Sequence, residues 1–271
     1  MPHLPSARRP LRRRALPAML AALLASGCTP AEGASVADQG DFVVVYDTPR
    51  SAEYRQWQAD LRGARVLEDV ADALNRTFVL PADVRLTFAE CGEANAFYDP
   101  DERRIRICYE LMDDLYGVFG ETTGSEEELN EAAWGAIYFT LYHELGHALV
   151  HLWDLPITGR EEDAVDQLAA FLLTDGTEEG GKAAINGANA FLLEHDRAGG
   201  AGDPAPWNEH SLDAQRFYNI VCWVYGRDPE GYAYLVEDGT LPPERAHLCA
   251  EEYERLDRSW AGLLSPYLKP Q

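Results

Sequence analysis

Apolar and polar positions follow two different rhythms along this chain. Early on they alternate in short runs: Phe42-Val43-Val44-Val45-Tyr46 is a brief apolar stretch, and Val84-Arg85-Leu86-Thr87-Phe88 has period two, so both predict strands. Asn95–Tyr98 and Arg103–Cys108 flank Asp99-Pro100-Asp101, a turn sequence, and predict a hairpin. Residues 51–76 instead carry Trp57, Leu61, Val66, Val70 and Leu74 roughly on one side of a helix. Ser125 and Glu128 have the spacing of a capping box, and the helix they open runs to about Trp153. Its stretch Ala132–Tyr142 is apolar nearly all round, which predicts a central, buried helix. Pro156 and Gly159 break the chain, and Thr158 with Glu161 again has capping-box spacing for a second helix. No repeat or linker divides residues 41–271. The expectation is one α+β domain, a small N-terminal sheet with a hairpin packed on a mainly helical body.

The N-terminus reads as an address. Arg8, Arg9, Arg12, Arg13 and Arg14 precede an apolar run, ALPAMLAALLA, which is about half of what a spanning helix needs. Ala25-Ser26-Gly27-Cys28 resembles the lipobox of bacterial lipoproteins. Residues 1–27 are therefore expected to be a signal peptide, with Cys28 the lipidated new N-terminus and residues 28–40 a flexible tether. That predicts export to the cell envelope, facing the periplasm, at the outer membrane in a double-membrane bacterium. The other four cysteines then have an oxidising compartment to pair in, and sequence proximity favours Cys91–Cys108 and Cys222–Cys249. None shows CxxC spacing, which argues against zinc ligation by cysteine.

Charge narrows the partners. There are 46 acidic and 23 basic side chains, a net charge of −23, which becomes −28 when the five N-terminal arginines are set aside. Such a domain is unsuited to nucleic acid or to an anionic membrane surface, so membrane association is expected only through the lipid anchor.

Inside the apolar helix lies His143-Glu144-Leu145-Gly146-His147, an HExxH motif. Histidines at i and i+4 share a helical face and can reach one ion, while Glu144 can take a proton from water held there. A polar trio in a buried helix would cost several kcal/mol unless paired or metal-bound. A catalytic zinc needs a third protein ligand. Trp153 occupies the position of the third His of the extended motif, and His151 sits about 6 Å further along the helix. Folding the two helices back about Asp154 and Leu155 places Glu162 opposite His147 and Asp166 opposite His143. The first pair supplies the third ligand, and the second a carboxylate that orients an imidazole.

His143-Glu-Leu-Gly-His147 followed by Glu162-Asp-Ala-Val-Asp166 resembles the gluzincin branch of zinc peptidases, with Glu as third ligand and Asp supporting the first His. CGEANAFYDPDERRIRICYEL, GREEDAVDQLAA and EHSLDAQRFYNIVCWVYG extend a likeness to a bacterial family of unknown function called "Putative metallopeptidase". The resemblance implies a zincin-like fold, Zn2+ held by His143, His147 and Glu162, and Glu144 as general base on a zinc-bound water. It implies a peptide or protein substrate, paired with the 95–108 hairpin by strand addition. It also implies a downstream His or Tyr that stabilises the oxyanion: His210 is the candidate, followed by Tyr98, Tyr142 and Tyr218. The alternative expectation is a non-catalytic envelope lipoprotein that uses the same fold to bind peptide or protein.

Overall fold

The structure is a computed structural model that describes residues 37–197 and 207–270. The expected signal peptide, Cys28 and most of the tether lie outside the described residues. Strand β1 (Phe42–Val44) leads into helices α1 (Ala52–Gly63) and α2 (Val66–Thr77). Strand β2 (Val84–Ala89) and the hairpin β3 (Ala96–Asp99) and β4 (Arg104–Cys108) follow. The rest is helical: α3 (Tyr109–Gly120), α4 (Glu126–Trp153), α5 (Glu161–Leu173), α6 (Glu178–Arg197), α7 (Asp213–Arg227), α8 (Tyr234–Glu237) and α9 (Pro243–Leu264). The architecture is α+β, with strands early and helices late, as the pattern predicts.

The sheet has the order β1-β2-β4-β3. β1 and β4 both run parallel to β2, while β3 is antiparallel to β4 and forms an edge. Leu86, Phe88, Ile105 and Ile107 are buried against the helices, and the apolar interior continues without a break from β1 to α9.

Two helix boundaries differ from the sequence pattern. The stretch 51–76 is two helices, not one. Gly63 ends the first, Arg65 adopts a left-handed conformation at φ 57°, and its guanidinium pairs with Asp69 at 3.1 Å and Asp72 at 2.9 Å on α2. The break re-aims the chain so that α2 buries Leu67, Val70, Ala71 and Leu74 beside β1. The second difference is the start of α5. Thr158 caps nothing, because Pro156 and Gly159 keep the chain non-helical until Arg160. Glu161 is thereby released from a capping role.

Helix α4 is as predicted. Ser125 Oγ accepts from Glu128 N–H at 3.2 Å, but Glu128 Oε2 takes the N–H of Gly124 at 2.9 Å, so only half of a capping box forms. Sixteen of its 28 residues are buried. It runs through the middle of the helical layer because neighbours come unusually close: a Cβ on Gly187 of α6 would lie 2.2 Å from the Phe139 ring.

Both expected disulfides are present. Cys91–Cys108 ties the segment before β3 to the end of β4, and Cys222–Cys249 ties α7 to α9. The second closes a loop of 27 residues. Replacing Cys222 and Cys249 together by Ala is expected to lower stability by about 3–4 kcal/mol, through the loop-closure entropy regained by the unfolded chain. Urea denaturation of the oxidised proteins measures it.

Candidate metal centre

The site begins with a close helix contact. A Cβ on Gly146 would sit 2.7 Å from Val165 Cβ, so α5 approaches α4 more closely there than any other residue at 146 would allow. Val165 lies one turn beyond Glu162. The contact therefore delivers the Glu162 carboxylate to the face of α4 that carries His143 and His147.

Three side chains converge. Glu162 Oε2 lies 3.1 Å from His143 Nε2, and Oε1 lies 3.4 Å from His147 Nε2. One donor atom from each of the three falls within 4.8 Å of the others. The far nitrogen of each imidazole is already engaged: His143 Nδ1 with Asp166 Oδ1 at 2.8 Å, and His147 Nδ1 with Glu161 Oε1 at 2.8 Å. Each carboxylate thus fixes a ring with Nε2 facing Glu162, the arrangement that supports metal-binding histidines. Glu162 Oε2 is buried and makes no hydrogen bond of good geometry despite its close imidazoles. An unsatisfied carboxylate oxygen beside two oriented Nε2 atoms fits a divalent cation, and His143, His147 and Glu162 could hold one.

Burial opposes charging His143, but the nearby carboxylates of Asp166 and Glu162 prevail and push it up to about 9. His147 moves up too, as Glu162 and Glu161 outweigh its burial. Glu162 is held far below the ordinary carboxylate range by His143, His147 and His210, against the opposing effect of burial. Without a bound ion, these carboxylates favour the protonated imidazole of His143. Its folded-state value is raised, so its contribution to stability is complete below about 6.5 and is lost as pH rises through about 9. Urea titrations in chelator are expected to show this loss between those two values.

Asp166 is as expected opposite His143, but it belongs to a larger assembly that pattern reading misses. Arg216 of α7 donates from Nε to Asp166 Oδ2 and from Nη2 to Oδ1, both at 2.8 Å. Its guanidinium also stacks 3.7 Å from the Phe191 ring centroid of α6. Burial would raise Asp166, but Arg216 and His143 hold it down at about 2. A signal existed: Arg216 shares a helical face with Ile220 and Val224, where a cation needs a partner. Glu161 was likewise hidden by its capping-box spacing.

Glu144 is 7 % exposed, directly follows His143 on α4 and feels the charges of His143, His147 and Glu162. Burial raises its carboxyl, opposed by the charges of His143 and His147. His210 is brought to the cluster from the turn before α7, with Nε2 3.1 Å from Glu162 Oε2. Asn208 Oδ1 takes the His210 N–H at 2.8 Å and contacts its Nδ1 at 3.2 Å, and Arg160 donates to the His210 carbonyl at 3.3 Å. Ser211 Oγ adds a bond to Asp163 at 2.6 Å, so this turn is fastened to the first turn of α5. The three tyrosine candidates are placed differently. Tyr98 bonds His151, Tyr142 is buried in the core, and Tyr218 is exposed on α7.

Asp166→Asn is expected to weaken metal affinity by about 10- to 100-fold, since it leaves His143 without its orienting carboxylate. Competition against a chromophoric chelator reads this directly. Arg216→Met strands Asp166 as a buried, half-paired charge and is expected to cost about 3–5 kcal/mol in urea unfolding.

The sequence profile of a family described as "Putative metallopeptidase" matches residues 46–264, a span that contains every residue of this cluster. No curated protein and no solved structure matches the chain significantly. With four-fifths of its length inside that match, the chain belongs to the "Putative metallopeptidase" family.

Proposed function

We propose that this protein is an exported zinc metallopeptidase in which Glu144 is the general base. The observation that carries the reading is the convergence of His143 Nε2, His147 Nε2 and the Glu162 carboxylate within 4.8 Å, with Glu144 buried beside them. Two imidazoles and a carboxylate form the donor set of a catalytic zinc, which keeps one position open. When bound, the ion supplies Lewis acidity that lowers the pKa of water and polarises a carbonyl.

The rest is done by the chain's own residues. Glu144 removes the proton from the attacking water and passes it to the leaving amine. Its burial favours the protonated form, which suits a carboxylate that must accept a proton and then give it up. Asp166 and Glu161 hold the two imidazoles in place through Nδ1. His210, fixed by Asn208 and Arg160, is positioned to donate to the oxyanion that develops on the attacked carbonyl. Edge strand β3 packs on α4, which supports a zincin-like arrangement and an extended peptide as substrate. Export and a lipid anchor are supported by the Arg-rich, apolar and Ala-Ser-Gly-Cys28 segments, and the two disulfides are consistent with an oxidising compartment.

Glu144→Gln is expected to abolish hydrolysis of a peptide library while keeping one zinc per chain, measured by mass spectrometry of metal content. Turnover at the wild-type rate in that variant would overturn the mechanism. His147→Ala is expected to lose both zinc and turnover.

A further inference from the structure

The cluster around Glu162 is open to solvent on one side. Side-chain exposure rises from 8 % at His143 through 18 % at His147 to 38 % at His210 and 49 % at Glu161. A substrate therefore approaches past the first turn of α5 and the turn that carries His210. One cation stands at that opening. Arg160 is the exposed residue that immediately precedes α5, two positions before Glu162.

The surroundings leave this side chain uncommitted. Glu161, Glu162 and Asp163 follow it in the chain, and each is held elsewhere. Glu161 meets His147 Nδ1 at 2.8 Å, Glu162 meets His143 Nε2 at 3.1 Å, and Asp163 accepts from Ser211 Oγ at 2.6 Å. Arg160 Nη1 donates to the His210 carbonyl at 3.3 Å, and among the described residues its guanidinium has no other hydrogen bond and no ion pair. A guanidinium carries several N–H donors in a planar fork, so most of them remain available. Arg106, Arg197, Arg245 and Arg255 each hold a carboxylate instead. Local helix preference does not account for Arg160 either. An N-cap favours Ser, Thr, Asp or Asn, the helix dipole disfavours a cation there, and the Arg160 side chain caps nothing.

The bond to the His210 carbonyl keeps the guanidinium beside the residue whose Nε2 touches Glu162. An extended peptide advances about 3.4 Å per residue, so a group one to three residues from the attacked bond comes within its reach. We propose that Arg160 is a specificity-determining residue that binds a carboxylate of the substrate, supplied by the C-terminus of a peptide or by an Asp or Glu side chain. The inference rests on the peptidase reading of the site. An arginine fork matches a carboxylate through two parallel N–H···O bonds. The net charge of −23 repels an acidic peptide at long range, so its selection depends on a cation that acts at contact distance.

Three peptide series test it: neutral peptides with a free C-terminus, the same peptides amidated, and amidated peptides with Asp or Glu near the cleaved bond. The wild type is expected to favour one carboxylate-bearing series over the neutral one by about tenfold or more in kcat/KM, and the favoured series identifies the source. Arg160→Met should reduce that preference to less than about twofold, with neutral peptides affected much less, and Arg160→Lys should keep part of it. Asn208→Ala loosens the His210 turn without removing the cation, so it should lower kcat on all three series alike and keep the preference. Equal turnover of the three series by the wild type, or an equal loss across them in Arg160→Met, overturns the inference and leaves the peptidase reading standing. A second measurement needs no hydrolysis. In Glu144→Gln, the Arg160 Nε–H resonance, assigned by its absence when Arg160→Met is added, should shift on titration with the favoured carboxylate-bearing peptides and not with the neutral ones. A wild type that cleaves no peptide overturns the peptidase reading, and the same titration with each series still decides whether Arg160 binds a carboxylate.

Discussion

The site depends on how closely two helices approach at Gly146. With any side chain there, Val165 would have to move away, and Glu162, one turn earlier on α5, would move with it. The carboxylate would then no longer lie between the two Nε2 atoms. A glycine inside a helix costs about 1 kcal/mol of intrinsic stability. Here the cost is offset by a helix contact that brings three ligating groups from two elements within reach of one ion.

Charge sets the second constraint. His143, Glu144, Asp166 and Arg216 are all buried, and none would be tolerated alone in an apolar interior. Arg216, Asp166 and His143 form a chain in which each neutralises the next and which ends on Glu162, while Glu144 lies in the field of His143 and His147. Such a network is a weak source of net stability, since desolvating the charges consumes much of the attraction between them. What it provides is geometry. Asp166 fixes the His143 ring, Arg216 fixes Asp166, and the Phe191 ring fixes Arg216, so the orientation of the His143 imidazole is set by α5, α6 and α7 together. The net charge of −23 adds a long-range field that attracts cations rather than anions to the molecule.

Where pattern reading failed, local preference lost to tertiary contact. Residues 51–76 carry one apolar stripe, yet the chain breaks at Arg65, because a straight helix would not lay α2 beside β1. Thr158 and Glu161 match a capping box, yet Pro156 and Gly159 delay the helix and Glu161 serves His147 instead. Tyr98 was a candidate for oxyanion stabilisation by residue type alone. Its phenol is instead committed to His151, 53 residues away.

The sequence by itself determined what depends on short-range spacing. The i, i+4 histidines of α4, the adjacent Glu144, the apolar surround, the β3–β4 hairpin and the two cysteine pairs all follow from residues near one another in the chain. Even Glu162 and Asp166 were legible, because a short turn between two helices makes distance from the turn a good measure of who faces whom. Only the tertiary structure decided the contacts that span long separations. Arg216 meets Asp166 across 50 residues, and Tyr98 meets His151 across 53. Pairings of that kind depend on how whole helices and strands pack, and packing is settled by the complete set of buried surfaces, which no local window contains.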